Sequence, residues 1–512
     1  MVRRRLKLFL KIVLTCVVLL FLFLVFERVR GQISLARYRR ELISKGERLD
    51  AKTFRPPVNA DENGAPEIYK AIAELKDGGV LHKHPPPLMT VLPSGRAVVG
   101  FREASWLDEK VTNDWDEVAA DLQTNDAPLA QIRAGLQKPI LRNDVDFSQG
   151  FKMDFRHIVP AKSTSQWFEA AALLRLHEGK THESVDGFLT EMETARLLSD
   201  DRLAISELVR IAILAISRGA TWEALQADGW TDDDLARIQA AWEKQSFATP
   251  MAVCMEGERI FDDSSYDILR KSNEETVHVI WENVFADYGA EDKGLGWEGT
   301  LNQLPGYKAT MDFLKQQVYC RIWRFAWSHQ SQRHSLEQMQ RLIEVSRTAA
   351  DGKSLAEVQP AIAQIATSAD HQNWYDSIRY PMPESVLTLA HVVTKATQAE
   401  TERSMILCAI ALKRFALKHG KSPETLDALV PEFLSAVPTD WMDGRPLKYH
   451  LNADESFTLY SVGLDGKDNG GDTAPSPGKE SNRNLWYRTD FVWPSPALSN
   501  ELSAWREESA KN

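Results

Sequence analysis

Residues 463–472, GLDGKDNGGD, put three aspartates, one asparagine and four glycines into ten positions, directly after the strand-like run FTLYSV at 457–462. Carboxylates at that density repel one another unless a cation gathers them. Calcium takes about six to eight oxygens, from carboxylates and backbone carbonyls, and glycines let a loop wrap tightly enough to aim them. The EF-hand spacing is not met, because Lys467 stands at the third position from Asp465 and no Glu closes the loop. A plain Asp-Gly turn after an edge strand is the competing reading.

Chemistry elsewhere is sparse. His82 and His84 sit on a segment that Pro85 to Pro87 keep extended, so both rings can face one way, but two histidines do not complete a zinc site. His177 with Glu178, and Glu256 with Glu258, lack the HExxH spacing. Neither a nucleophile elbow nor a phosphate loop is present, so no catalytic residue can be named. Acids brought together only by folding, which is all a glycosidase needs, stay open. The tryptophans are scattered, and pairs such as Trp323 and Trp327 suit core or groove packing.

The elements that would position these residues are easier to read. A chain of 512 residues exceeds one ordinary core, so two or more folding units are expected. Residues 1–40 hold ten Lys or Arg against Glu27 alone, a local charge of +9, which leaves −20 for the rest of a chain whose total is −11. An acidic body repels phosphate, which counts against nucleic-acid binding and against a body lying on anionic lipid. Cys16, Cys254, Cys320 and Cys408 are too few and too far apart for a disulfide scaffold or metal knuckle; Cys320 and Cys408 read as buried thiols, with a pairing among the last three open if the body is exported.

Residues 8–26, LFLKIVLTCVVLLFLFLVF, carry one charge, Lys11, near the end where it can snorkel. Such a run spans about 30 Å, the thickness of a bilayer core. Glu27, Arg28 and Arg30 follow it instead of the small residues of a cleavage site, so an uncleaved signal-anchor is expected. Five basic residues before the span match five after it, and the charge rule leaves orientation tied.

Beyond the Pro-rich stretch at 54–66 and a short hairpin at 89–101, helical periodicity dominates. Helices are expected near 115–123, 127–137, 165–178, 183–199, 202–218, 231–244, 335–349 and 384–398. Another runs from Tyr307 to Trp327, with Met311, Leu314, Val318, Ile322 and Phe325 on its apolar face. Short breaks join these helices as antiparallel hairpins, but no sustained repeat marks a solenoid.

The last part of the chain orders its elements differently. A helix with Met405, Cys408, Leu412 and Phe415 on its apolar face stops at Gly420, and Ser422 with Pro423 starts a short second helix. Strands PLKYHL and FTLYSV follow. Helix, Lys-His-Gly-Lys-Ser-Pro, Val-Pro-Thr-Asp, Asp-Gly-Arg-Pro-Leu-Lys-Tyr and Leu-Tyr-Ser-Val-Gly-Leu-Asp-Gly, in that order, resemble the globular domain of the major pseudopilins of type II secretion. The likeness covers about 403–494, while the whole chain resembles membrane-anchored bacterial proteins that end in this module. Trp441 stands where the family usually has Pro, and the family's leader and its Gly-Phe-Thr-Leu-Ile-Glu start are absent before the apolar run. Pseudopilins of this type hold calcium after the matching string. The resemblance therefore implies Leu459 and Ser461 near a metal, Asp465, Asp468 and Asp472 as its carboxylates, and Asp490 from the closing RTDFVW segment.

The expected fold is mainly α: one transmembrane helix, an irregular array of helical hairpins and a small α+β pseudopilin-like domain. The expected divisions are an anchor (1–30), a juxtamembrane segment (31–59), a helical domain (60–400), the pseudopilin-like domain (401–495) and a tail (496–512). The expected role is a scaffold or binding protein tethered to the bacterial inner membrane by a single span, its body extracytoplasmic, its C-terminal domain stabilised by calcium, and its partner another envelope protein and no nucleic acid. The alternatives are a hydrolase of envelope polymers using dispersed carboxylates, and an accessory subunit of a secretion or pilus-like machine. Polar Glu402, Lys413, Arg414 and Lys418 on the 403–418 helix count against docking through that face.

Overall fold

The computed structural model describes residues 2–76, 89–105, 114–280, 313–370, 373–381, 384–478 and 484–509. His82, His84, Tyr307 and Met311 lie outside them. The fold is mainly helical, 67% helix against 5% strand, and its one sheet has three strands.

Helix α1 (Val2–Ser44) does two jobs. Its apolar half has a mean hydropathy of 3.0, and up to Phe23 it is exposed, with Leu24 and Val25 half-buried. From Glu27 onward the same helix enters the body, burying Glu27, Gly31, Leu35 and Leu42 along one helical face. Gly31 permits this approach, because a Cβ there would stand 2.9 Å from Gln330 Cγ. The helix therefore crosses residue 30 without a break.

Short helices α2 (Ala65–Ala73), α3 (Trp115–Thr124) and α4 (Asp126–Leu136) lead to the stack α5 (Ile158–His177), α6 (Thr181–Thr194), α7 (Ala204–Leu225), α8 (Asp232–Glu243) and α9 (Ala248–Lys271). Thr231 and Asp234 form a reciprocal capping box that starts α8 at the expected place. Periodicity did not predict α9, because Glu256, Glu258, Arg259 and Asp262 interrupt its apolar pattern; Glu256 and Arg259 are nonetheless buried. Later come α10 (Ser328–Ala350), α11 (Leu355–Asp370) and α12 (Glu384–His419), which ends at Gly420 with φ +72°.

The segment before α10 differs from expectation. It is wound in wide π turns over Leu314–Tyr319 and Trp323–Trp327. The buried face is Cys320, Trp323, Ala326 and Trp327, whereas Val318 and Phe325 are exposed. Helical spacing groups apolar residues but does not say which face meets the core.

In the C-terminal module β1 (Lys448–Leu451), β2 (Phe457–Ser461) and β3 (Phe491–Val492) pair antiparallel in that order, with Tyr449 opposite Leu459 and Ser461 opposite Phe491. The short helix expected at Ser422 is instead a 3-10 turn, Leu426–Leu429, whose buried Leu426 and Leu429 stand three apart as that geometry favours. The tail carries α13 (Ser499–Ser509), pinned by Arg506 to Glu103.

One hydrophobic core runs from Ile68 through α5, α7 and α12 to Leu459, Phe491 and Trp493. Glu402 and Arg414 of α12 serve this union, while Lys418 stays exposed beside Glu432. Arg414 pairs with Asp232 at 2.7 Å, and Glu402 pairs with Arg218 and accepts from Trp486 Nε1. Trp222 Nε1 donates to Pro494 O, and Arg488 to Pro93 O, so the hairpin near residue 93 and the stack both grip the module.

Cys254, Cys320 and Cys408 are buried and unpaired.

Candidate functional site

The loop after β2 is held from both ends by buried carboxylates. Asp440, which the sequence reading did not single out, accepts from Ser461 Oγ at 2.9 Å, Val462 N at 2.9 Å and Met442 N at 3.0 Å. Asp490, fully buried, accepts from Gly471 N at 2.8 Å, Asp472 N at 3.1 Å and Asn469 N at 3.4 Å. Burial pushes both carboxyls up, and these backbone donors pull them back. The string Val-Pro-Thr-Asp was the available signal for Asp440, but only folding shows that its carboxylate turns toward β2.

The other aspartates serve their own turns. Asp465 accepts from Lys467 N at 3.0 Å, and Asp472 from Ala474 N at 3.0 Å. Asp468 accepts from Gly470 N at 3.1 Å, which lowers its carboxyl, and from Tyr460 Oη at 3.0 Å. Tyr460 is pushed up to about 12 by burial and by that carboxylate. Leu459 and Ser461 are fully buried on β2, and Leu459 O accepts from Trp493 N. Loop 465–472 thus gathers around Asp490 through backbone N–H groups. Among the described residues no three acidic, His or Cys side chains converge as a metal cage. In this arrangement the six candidate residues do not fit calcium, which requires oxygens, not N–H donors, to point inward.

Acids of the helical body are perturbed but enclosed. Burial raises Glu169 and Glu191 well above the ordinary range, with Glu191 and Glu223 also repelling Glu169 and Ser217 pulling Glu191 back, while Glu223, Glu258 and Asp262 are pushed up to about 7. A groove of about 930 Å³ lies between α3, α4, α5 and α6, with Leu122, Leu129, Leu174, Leu189, Arg133 and Glu193 among its walls; none of those five acids lines it. His157, Asp201 and Ser206 also cluster, but both His157 Nε2 (2.7 Å) and Ser206 Oγ (2.6 Å) bond to Asp201 Oδ2. The serine is not aimed at the imidazole, so the trio lacks the order of a nucleophilic relay.

No family model matches the chain, and neither a curated protein nor a solved structure matches it.

Proposed function

We propose that this protein is a membrane-tethered scaffold or binding protein of the bacterial envelope, with an extracytoplasmic helical body and a pseudopilin-like C-terminal module. The carrying observation is α1, whose apolar half is exposed as far as Phe23 and whose polar half is built into the body. A cleaved signal sequence has no reason to bury Glu27, which accepts from Gln330 Nε2 at 2.8 Å and pairs with Arg30 at 2.8 Å. The mixed groove between α3 and α6 suits capture of a ligand, since the acids with raised pKa lie away from it, and this weighs against the hydrolase alternative. Docking on a secretion machine through residues 403–418 is disfavoured because α8 and Asp232 cover that face.

N-terminal sequencing of protein extracted from membranes is expected to start at residue 1 or 2, and protease added to spheroplasts is expected to digest the body. A mature start between Glu27 and Tyr38 overturns the tether; protection of the body overturns the orientation.

Calcium enters this reading through the aspartate-rich loop and the resemblance, and the backbone N–H groups turned toward Asp490 weigh against it. Melting of the full chain is therefore expected to be equal in millimolar calcium and in chelator, whereas Asp490→Ala lowers it in both by freeing three backbone donors. A rise of several degrees with calcium would restore the ion to the loop, because a ligand that binds only the folded state stabilises it by mass action.

A further inference from the structure

A cavity of about 240 Å³ opens where α1 leaves its apolar stretch, lined by Arg30 and Ser34 from α1, Gln330, Arg333, His334 and Glu337 from α10, and Arg379 with Tyr380. Its lining side chains carry three guanidiniums against one carboxylate. Glu27 and Asp376, outside the lining, each hold a guanidinium by one edge: Arg30 to Glu27 at 2.8 Å and Arg379 to Asp376 at 2.5 Å. Gln330 Oε1 accepts from both Arg30 (2.9 Å) and Arg379 (3.2 Å), which fixes the two forks side by side. Arg379 Nε is buried with no hydrogen-bond partner among the described residues. Arg333 completes the set, 41% exposed and paired with Glu337 at 2.5 Å. Tyr380 stacks on His334 at 4.3 Å and stiffens one wall; burial lowers the His334 imidazole, against the opposing pull of Glu337 and Asp376 and with Arg341 and Arg379 adding to it. Planar forks with spare N–H groups are the side chains that grip phosphate bidentately.

Depth selects the source of that phosphate. Arg30 lies four residues past Phe26, about 6 Å along the helix axis, and the polar layer on each side of a bilayer core is about 5–8 Å deep. The body reaches that level as well. Leu24, inside the apolar stretch, packs against a cluster of Tyr266, Leu269, Cys320, Trp323 and Trp327, with Tyr319 and Tyr375 around it. Arg28 stacks over Phe325 at 5.0 Å, and Phe313, Val318, Phe325, Val29 and Ile33 all expose apolar surface around this end. An exposed apolar rim beside a basic pocket is the pattern of a surface that rests in lipid. At this end local charge matters more than the net −20 of the body, because a headgroup feels charges only within about 8–10 Å, a Debye length.

We propose that the Arg30–Arg333–Arg379 pocket binds the phosphate of an anionic phospholipid and so fixes how the body sits on its membrane. The inference rests on the tether described above. The test uses full-length protein in detergent, with native mass spectrometry counting lipid adducts during titration with phosphatidylglycerol or phosphatidylcholine. The expected result is one retained phosphatidylglycerol, bound about tenfold or more tightly than phosphatidylcholine. Arg333→Gln, and separately Arg30→Gln, remove most of that difference, and Arg333→Lys restores only part of it because an ammonium cannot fork. Melting without lipid checks that each variant folds, and either variant alone is sufficient if the other does not. Equal binding of the two lipids, or unchanged selectivity in a folded variant, overturns the proposal while leaving the tether intact. Displacement of the lipid by millimolar inorganic phosphate overturns the lipid assignment. A processed N-terminus, seen in the same spectra as a lower mass, identifies failure of the tether instead.

Discussion

Replacing Glu47 with alanine is expected to destabilise the folded chain by about 3–5 kcal/mol, the usual cost of leaving a buried charge without its partner. Glu47 lies just past α1, its side chain 6% exposed. It accepts from Arg347 at 2.6 and 3.0 Å, from Gln340 at 3.1 Å and from Arg259 at 3.0 Å. Arg259 is fully buried, donates to Arg48 O at 3.0 Å and contacts Gln340 Oε1; Glu256 closes the network between Arg48 and Arg347, each at 2.8 Å. Burial would raise the Glu47 carboxyl, but the donors from Arg347, Gln340 and Arg259 outweigh it and bring it to about 2. The network clamps the end of α1 between α9 and α10, so its loss loosens anchor and body together. Urea unfolding in detergent micelles reads the effect as a lower midpoint with an unchanged slope. Glu41→Ala, which removes only an exposed pairing with Lys45, serves as the control and is expected to change little. A midpoint for Glu47→Ala equal to that of the parent would remove the clamp from this account.

Stability is also expected to fall as pH rises from about 4.5 to about 7, opposite to the trend that paired carboxylates produce. Glu223, Glu258 and Asp262 are pushed up to about 7, chiefly by burial, and Glu169, Glu191 and Glu207 move the same way. Between the unfolded and folded values the native state binds more protons than the unfolded chain, so stability present below the unfolded pKa is lost through the folded one. Glu223, Glu258 and Asp262 each contribute on the order of 3 kcal/mol before the surroundings relax. Glu47 opposes the trend only at the acid end, because its depressed pKa makes its stabilisation disappear as pH drops from about 4.5 toward 2. Melting should therefore peak near about pH 5 and lie several degrees lower at about pH 8. Glu258 and Asp262 share one face of α9, and each already accepts one hydrogen bond, from Ala204 N and Ser335 Oγ respectively. Glu258→Gln and Asp262→Asn keep an acceptor and remove the titration, so each should raise the melting point at pH 8 and leave it nearly unchanged at pH 5. A melting point independent of pH in the parent would mean that these carboxyls do not titrate where their burial puts them.

Some of this was determined by the sequence alone, because the forces involved are local. A nineteen-residue, mostly apolar run with one charge selects a membrane-length helix whatever surrounds it. Gly420 ends a helix, Thr231 with Asp234 starts one, and alternating FTLYS makes a strand, since backbone conformation and capping depend on near neighbours. The tertiary structure decided what long-range partners do to charge. Helix α9 was hidden by Glu256, Glu258, Arg259 and Asp262, which read as solvent-facing until Glu47 and Arg48 just past α1, Ala204 of α7, and Ser335, Gln340 and Arg347 of α10 supply their partners. Asp490 was implied as a metal ligand by the likeness of RTDFVW to a pseudopilin closing segment, whereas the fold turns it toward three backbone N–H groups on a segment about twenty residues away. Arg30, Arg333 and Arg379 are separated by as many as 349 positions, and Gln330 aligns two of them through hydrogen bonds that no local pattern encodes. Hydropathy and periodicity register which atoms avoid water; which charges share a low-dielectric space depends on how distant helices pack, and that is settled only in the folded chain.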